Sequence, residues 1–401
     1  MTAFKIHING FWRTVTTYKW PLMKDTITLS ERFKVAKFAL TTDKFTRGEQ
    51  CEKFEQEWND WLGSKHSLFV SSGSTANFLL VAAVMEKYGL KPGDKVLLPS
   101  CTWMTNVAPI IQLGLEPVFC DINMDDFSFD KESLIYISKN YDIKLIFVTH
   151  LLGFYANSYS LKSIFPTAII IDDVCESHGV TDTEGNKVGS SSLGATFSFY
   201  FGHHMTTIEG GMVSTNDSEL CDIMRMKRSH GMARESLQFA EYAQQNSDLS
   251  PQFLFITDGY NFRNHEIPAI IGRSQLKKLD KSIEIRRRNF TMFKHYIRMN
   301  DNFYTIANNS GNSSFCFPII SKTPETKYRL ESMLEKEGVE YRPVVGGNLL
   351  RHPFLKGHRL AYQDRVPSTA DIVNDLGLYV GNNQFVTKKD MEKLGEIINA
   401  C

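Results

Sequence analysis

The sequence has no surplus of charge of either sign: among 401 residues, 45 Lys and Arg stand against 45 Asp and Glu. Without a basic excess there is little to neutralise a chain of phosphates, which disfavours general nucleic-acid binding. No apolar run reaches the ~18 residues of a membrane-crossing helix, so no membrane partner is expected. The opening stretch MTAFKIHINGFWRTVTTYKW alternates polar and aromatic residues and lacks the apolar centre of a signal peptide. Cysteine is sparse and scattered, at positions 51, 101, 120, 175, 221, 316 and 401, with no C-x-C or C-x-x-C pair. That pattern excludes a disulfide framework or a zinc site and fits a reducing, cytoplasmic compartment. Taken singly, each Cys reads as a small buried hydrophobe. There is no internal repeat and no low-complexity tract, and Asn308–Ser314 reads as an ordinary loop.

What is present argues for a folded α/β protein. Hydrophobic residues make up 42% of the chain, too much for disorder in a neutral sequence. At ~100–200 residues per domain the length allows about two or three domains. Short apolar runs at His66–Val70, Lys95–Leu98, Pro117–Asp121, Leu145–Thr149, Ala168–Ile171, Thr196–Tyr200 and Met212–Thr215 read as strands. Several are near-continuously apolar, as parallel strands buried on both faces are. Helical patterns at Thr75–Lys87 and Met104–Leu113 alternate with them, which argues for a mostly parallel sheet. Ile267–Asn289 is a long helical pattern that turns strongly charged halfway along. It reads as the connection to a smaller C-terminal part of mixed helices and strands.

Four motifs bear chemistry. Ser71-Ser72-Gly73-Ser74-Thr75-Ala76-Asn77 follows a strand and opens a helix, where small residues and free N–H groups can cup a phosphate. A plain Ser-rich helix cap is the simpler reading of that turn alone. Ile169-Ile170-Ile171-Asp172-Asp173-Val174-Cys175-Glu176-Ser177-His178-Gly179 ends an apolar strand in two carboxylates, at the sheet edge where ligands bind. Such an Asp can meet a protonated ring nitrogen or a metal, or be plain surface acid. Phe197 to Gly211 carries Ser198 and the adjacent His203 and His204. Neighbouring histidines lack the i,i+4 spacing of a helical metal pair, but either can serve as a general base or simply sit in a loop. In Asp258-Gly259-Tyr260-Asn261-Phe262-Arg263, Arg263 is able to clamp a carboxylate or phosphate, or to be a surface charge.

Each motif is weak by itself. In this order and spacing, with Gly48 and Glu55 in FTRGEQCEKFEQEW, the EGG turn and the ending GLYVGNNQ, the chain resembles the DegT/StrS family of sugar aminotransferases from about Trp20 onward. The resemblance implies the fold type I architecture of pyridoxal-phosphate (PLP) enzymes. On that reading residues 1–275 form a large α/β cofactor-binding domain with an N-terminal extension, and 276–401 a small C-terminal α+β domain. It implies that Gly73, Ser74 and Ser198 bind the cofactor phosphate, that Trp103 stacks on the pyridine, that Asp173 pairs with the ring nitrogen and that Glu176 lies near the ring hydroxyl. Asn261 should reach the phosphate in a neighbouring subunit, so a homodimer with shared sites is implied. Arg263, as the holder of a glutamate carboxylate, and His230 and Arg342, with Asn348, are candidates for the substrate side.

One position departs from the family. Ordinary members have the Schiff-base Lys where this chain has His203. An imidazole forms no stable Schiff base but still moves protons, with an ordinary pKa of ~6.5. The cofactor is therefore expected to be held non-covalently, as pyridoxamine phosphate (PMP) or PLP. His203 followed by His204 and MTTIEGG resembles a Lys-to-His branch of 3-dehydratases, which remove the C3 hydroxyl of nucleotide-linked 4-keto-6-deoxy hexoses. One kind in that branch carries an iron–sulfur cluster, which needs four Cys ligands. Here only Cys316 and Cys401 follow residue 221, so the resemblance is to the cluster-free kind, with a GDP-4-keto-6-deoxymannose-like substrate and glutamate regenerating PMP. The alternatives are a sugar-nucleotide aminotransferase lacking the Lys, and a non-catalytic binding paralogue.

Overall fold

The computed structural model describes residues 2–8, 11–157, 160–306, 311–358 and 368–401, with the backbone alone for residues 2–17. The first part of the Asn308–Ser314 loop lies outside them. In chain order the elements are β1 (Thr2–Ile8), β2 (Phe11–Thr17), α1 (Leu29–Thr41), α2 (Glu49–Leu62), β3 (His66–Val70), α3 (Gly73–Tyr88), β4 (Lys95–Pro99), α4 (Met104–Gln112), β5 (Glu116–Cys120), α5 (Lys131–Asn140), β6 (Ile143–Thr149), α6 (Leu161–Ile164), β7 (Ile169–Asp173), β8 (Ala195–Ser198) and β9 (Gly211–Thr215). There follow α7 (Ser218–Arg228), α8 (Phe239–Gln245), α9 (Glu266–Arg298), β10 (Cys316–Ile320), α10 (Pro324–Glu337), β11 (Tyr341–Pro343), α11 (Thr369–Leu376), β12 (Gly377–Gly381) and α12 (Lys388–Asn399).

Seven strands form the main sheet in the order β3-β9-β8-β7-β6-β4-β5. All pairings are parallel except those of β9, which runs against both neighbours. The near-continuous apolar runs are what a sheet covered on both faces requires. Alternate residues go to opposite faces. Val96 and Leu98 of β4 and Leu145 and Phe147 of β6 face the core under α3 and α7, whereas Leu97, Ile146 and Val148 face the core under α5 and α6. The α3 helix begins two residues earlier than its apolar pattern, at Gly73, because Ser72 and Thr75 form a reciprocal capping box. It stops at Gly89, which takes the left-handed conformation with φ 66°.

A second, three-stranded antiparallel sheet, β10-β12-β11, packs with α10, α11 and α12. Helix α9 joins the two cores. Its Leu276, Leu279 and Ile283 enter the core around α2, and its Phe290, Phe293 and Ile297 enter the core of the small sheet. The helix runs beyond the pattern ending at Asn289, because apolar residues continue at three- and four-residue steps to Ile297. We propose residues 1–275 and 276–401 as the two parts of the chain, with α9 as their common spine. The segment around Trp20 does not stay with the large sheet: its indole donates to the Gly381 carbonyl at 3.0 Å, and Trp20 bridges to Val339. No helix among the described residues is long and apolar enough to cross a membrane.

Candidate active site

The C-terminal ends of the parallel strands open into a cavity of about 870 Å³, closed from the other side by the small sheet. Its floor is the turn from β3 into α3. The first N–H groups of a helix have no intrahelical acceptor, so the Gly73 and Ser74 amides at the start of α3 remain free for an anion. Ser198 ends β8 directly beside them, and only glycine fits at 73: an added Cβ would lie 2.6 Å from the Ser198 Cβ and 2.9 Å from its hydroxyl. The result is a small cradle of two amides and two hydroxyls, the donor set that a phosphate monoester needs.

Asp173 ends β7 at the next strand over. Its buried carboxylate accepts from Asn106 Nδ2 at 2.8 Å, Asn77 Nδ2 at 3.2 Å and the Cys175 amide at 2.8 Å. The two asparagines were not singled out in the sequence, although Asn77 closes the SSGSTAN turn and Asn106 lies three residues after Trp103. They fix the carboxylate toward the cavity. Glu176 lines the same wall and accepts from the Leu152 amide at 3.0 Å. Burial pushes its carboxyl up to about 7, with the Asp173 charge adding to the effect. Trp103 caps α4 at the mouth with 55% of its surface exposed, a free aromatic face for a planar ring.

His203 faces this cradle across the cavity. A tight loop holds it: the His203 amide donates to the Tyr200 carbonyl at 3.0 Å, and Thr207 folds back on Phe199 at 2.9 Å. The imidazole is pushed down to about 4, first by burial and second by the Arg286 charge. This corrects the ordinary value of ~6.5 taken from residue type: the ring is neutral at physiological pH. Arg286 was hidden in a run of three arginines. It alone falls on the apolar stripe of α9 between Ile283 and Phe290, is 1% exposed, and donates to the carbonyls of Phe315 and Asn382. His204 points away from the cavity, donating from Nε2 to the Ser313 carbonyl at 3.0 Å.

Thus Gly73, Ser74, Trp103, Asp173, Glu176, Ser198, His203 and Arg342 line one cavity. Arg342 lies at its outer edge, paired with Glu340 at 2.8 Å. Asn348 is not part of the lining; its side chain bonds Asp371 at 3.0 Å. Asn261, Arg263 and His230 are brought to one another but not into this cavity. Arg263 Nε donates to Asn261 Oδ1 at 3.1 Å, and its Nη2 lies 3.3 Å from His230 Nε2. This trio sits on the surface beside the β3 strand end, where Arg263 bridges to Val70.

A mostly parallel sheet with a helix N-terminus, a strand-end aspartate and a second small domain closing over them defines the pyridoxal-phosphate-dependent transferase architecture. The chain belongs to the DegT/DnrJ/EryC1/StrS aminotransferase family, whose model matches residues 27–398. It is 35% identical over 374 residues to a GDP-4-keto-6-deoxy-D-mannose 3-dehydratase of Yersinia pseudotuberculosis, covering 90% of this chain and 93% of that protein. A crystal structure of GDP-4-keto-6-deoxymannose-3-dehydratase, a His-to-Asn mutant with bound GDP-perosamine, superposes with a TM-score of 0.87 at 31% identity, over 95% of this chain and 100% of that one. Another, with a trapped PLP-glutamate geminal diamine, gives a TM-score of 0.85 at 30% identity, over 95% of this chain and 100% of that one.

Proposed function

We propose that this chain is a PMP/PLP-dependent 3-dehydratase of a nucleotide-linked 4-keto-6-deoxy hexose, GDP-4-keto-6-deoxymannose-like, with glutamate as amino donor. It serves dideoxy-sugar formation for a surface polysaccharide such as lipopolysaccharide O-antigen. The carrying observation is a neutral imidazole, His203, facing a complete phosphate cradle where ordinary family members present lysine.

The residues present fit the cofactor. Gly73, Ser74 and Ser198 would hold the phosphate, Trp103 would cover the ring, Glu176 would meet the ring hydroxyl, and Asp173, aimed by Asn77 and Asn106, would keep the ring nitrogen protonated. When bound, the cofactor supplies an amine for the C4 ketone of the sugar and a ring that takes up electrons as the C3 hydroxyl leaves, and glutamate restores the amine. With the cofactor in place, His203 Nε2 would be the group that carries a proton between the cofactor and the departing hydroxyl. A cation that forms on so depressed a base gives its proton up readily. Lysine at this place would offer a primary amine to the cofactor carbon; imidazole offers none, which favours elimination over release of an amino sugar. Phe315, 5.6 Å from the His203 ring between centroids, and the buried Arg286 line the same cavity.

Asn261, Arg263 and His230 serve the cavity of a second copy in a homodimer, with Arg263 holding a glutamate carboxylate and Arg342 facing the nucleotide sugar. None of the seven cysteines is disulfide-bonded, in keeping with a cytoplasmic enzyme. The test is mass spectrometry of products from GDP-, CDP- and dTDP-linked 4-keto-6-deoxy sugars incubated with PLP and glutamate. A 3-deoxy ketone with ammonia is expected; an amino sugar sinks the assignment in favour of transamination.

A further inference from the structure

The wall behind His203 carries a set of buried nitrogens that the reaction as described does not use. His203 Nδ1 is buried and meets no protein group within hydrogen-bonding distance. The same holds for both ring nitrogens of His178, which is 0% exposed, and for Nδ1 of His204, which is 2% exposed. These atoms belong to one cluster. The His178 ring lies edge-to-face with His203 at 6.1 Å and with His204 at 5.3 Å between centroids. Around it stand Phe197, Phe199 and Trp58, which offer no acceptor.

The tautomers follow from the bonds that are made. His204 donates from Nε2 to Ser313, so its Nδ1 carries a lone pair. For His203 to accept a proton at Nε2, its own proton must sit on Nδ1, the nitrogen that is buried. Leaving it unpaired is costly and removes what keeps the base in the useful tautomer. A single water among the three rings would find three partners: His203 Nδ1–H as donor, and lone pairs on His204 and His178 as acceptors. The His178 ring also lies edge-to-face with Trp58, at 5.9 Å between centroids.

We propose that His178, through one interior water shared with His204, is a positioning residue that holds His203 in its Nδ1–H tautomer and so leaves Nε2 open as the base. This rests on the reading of His203 as the proton carrier. It also gives a reason for the second histidine of the pair: His204 supplies a lone pair to the water rather than a group to the substrate.

The experiment compares wild type, His178→Phe and His178→Gln by nitrogen-15 NMR of histidine-labelled protein, by steady-state kinetics, and by a high-resolution crystal structure of the wild type. Phenylalanine suits the aromatic surroundings but holds no water; glutamine retains a donor and an acceptor. Expected are an Nδ1–H signature for His203 in the wild type, its loss in His178→Phe with kcat lowered roughly tenfold to a hundredfold at unchanged KM, and at least partial recovery in His178→Gln. An unchanged His203 tautomer in folded His178→Phe overturns the proposal. If that variant does not fold, a dry space between the three rings in the wild-type crystal overturns it and an ordered water supports it. The NMR and the crystal do not depend on turnover. A tautomer that follows His178 in a protein without dehydratase activity therefore refutes the functional reading and leaves this one standing.

Discussion

Burial displaces two titratable residues of the candidate site in opposite directions. His203 is pushed down to about 4 and Glu176 up to about 7. The consequences for stability oppose each other. As pH falls from 6.5 toward 4, the unfolded chain binds a proton that the folded His203 refuses, so acid weakens the fold. Glu176 has the reverse sign: the folded state holds its proton between 4.5 and about 7, and its penalty is complete only above that range. Glu176→Gln removes the penalty. Thermal unfolding of the cofactor-free variant should therefore show a gain over wild type at pH 8, of at most roughly 3 kcal/mol because the carboxyl partly opens to the cavity, and little gain at pH 4.5. Comparing at each pH cancels the His203 contribution. His203→Lys should restore a covalent cofactor link visible as a new absorption band, with loss of dehydratase activity; an unchanged spectrum with retained turnover would remove His203 from the lysine position.

At the scale of elements, the site is made of ends. The N-terminus of α3, the C-termini of β7 and β8, and the loop before β9 converge because parallel strands deliver their last residues to one edge. The contact between α3 and β8 is so close that Gly73 tolerates no side chain. Gly73→Ala should leave the fold intact and weaken PLP binding roughly tenfold or more, since either Ser198 or the helix start must move. Titration of the purified variant with PLP, followed by absorbance, reads this directly; wild-type affinity would mean that the phosphate sits elsewhere. The strands were readable because fully buried strands are short continuous apolar runs. The start of α3 was not, since Gly and Ser carry no apolar signal and only the Ser72–Thr75 capping box fixes where the helix begins.

At the scale of the whole molecule, the outlying trio Asn261, Arg263 and His230 separates two arrangements. If two copies share sites, each inactive variant lacks a different half. Co-expressed His203→Asn and Arg263→Ala chains then give half hybrid dimers, each with one intact site, and about a quarter of wild-type activity returns. Activity no higher than that of the separate variants would show that each chain works alone. Helix α9 operates at the same scale, carrying Arg286 from the core of the large sheet to the back of the active site.

The family, the alternation of strands and helices, and the identity of the residue replacing lysine are all carried by local order: motif spacing, apolar runs and one substitution. These need no knowledge of what touches what. The depressed imidazole, the raised carboxyl, the asparagines that aim Asp173 and the histidines behind His203 belong to no motif. They arise because distant segments bury one another's charges and donors, and the energy of a buried group is set by its neighbours rather than by its type. The sequence's zero net charge follows the same division. It disfavoured a polyanion partner at once, but only the folded chain decided that one guanidinium, Arg286, would be buried on two backbone carbonyls in the wall of the cavity.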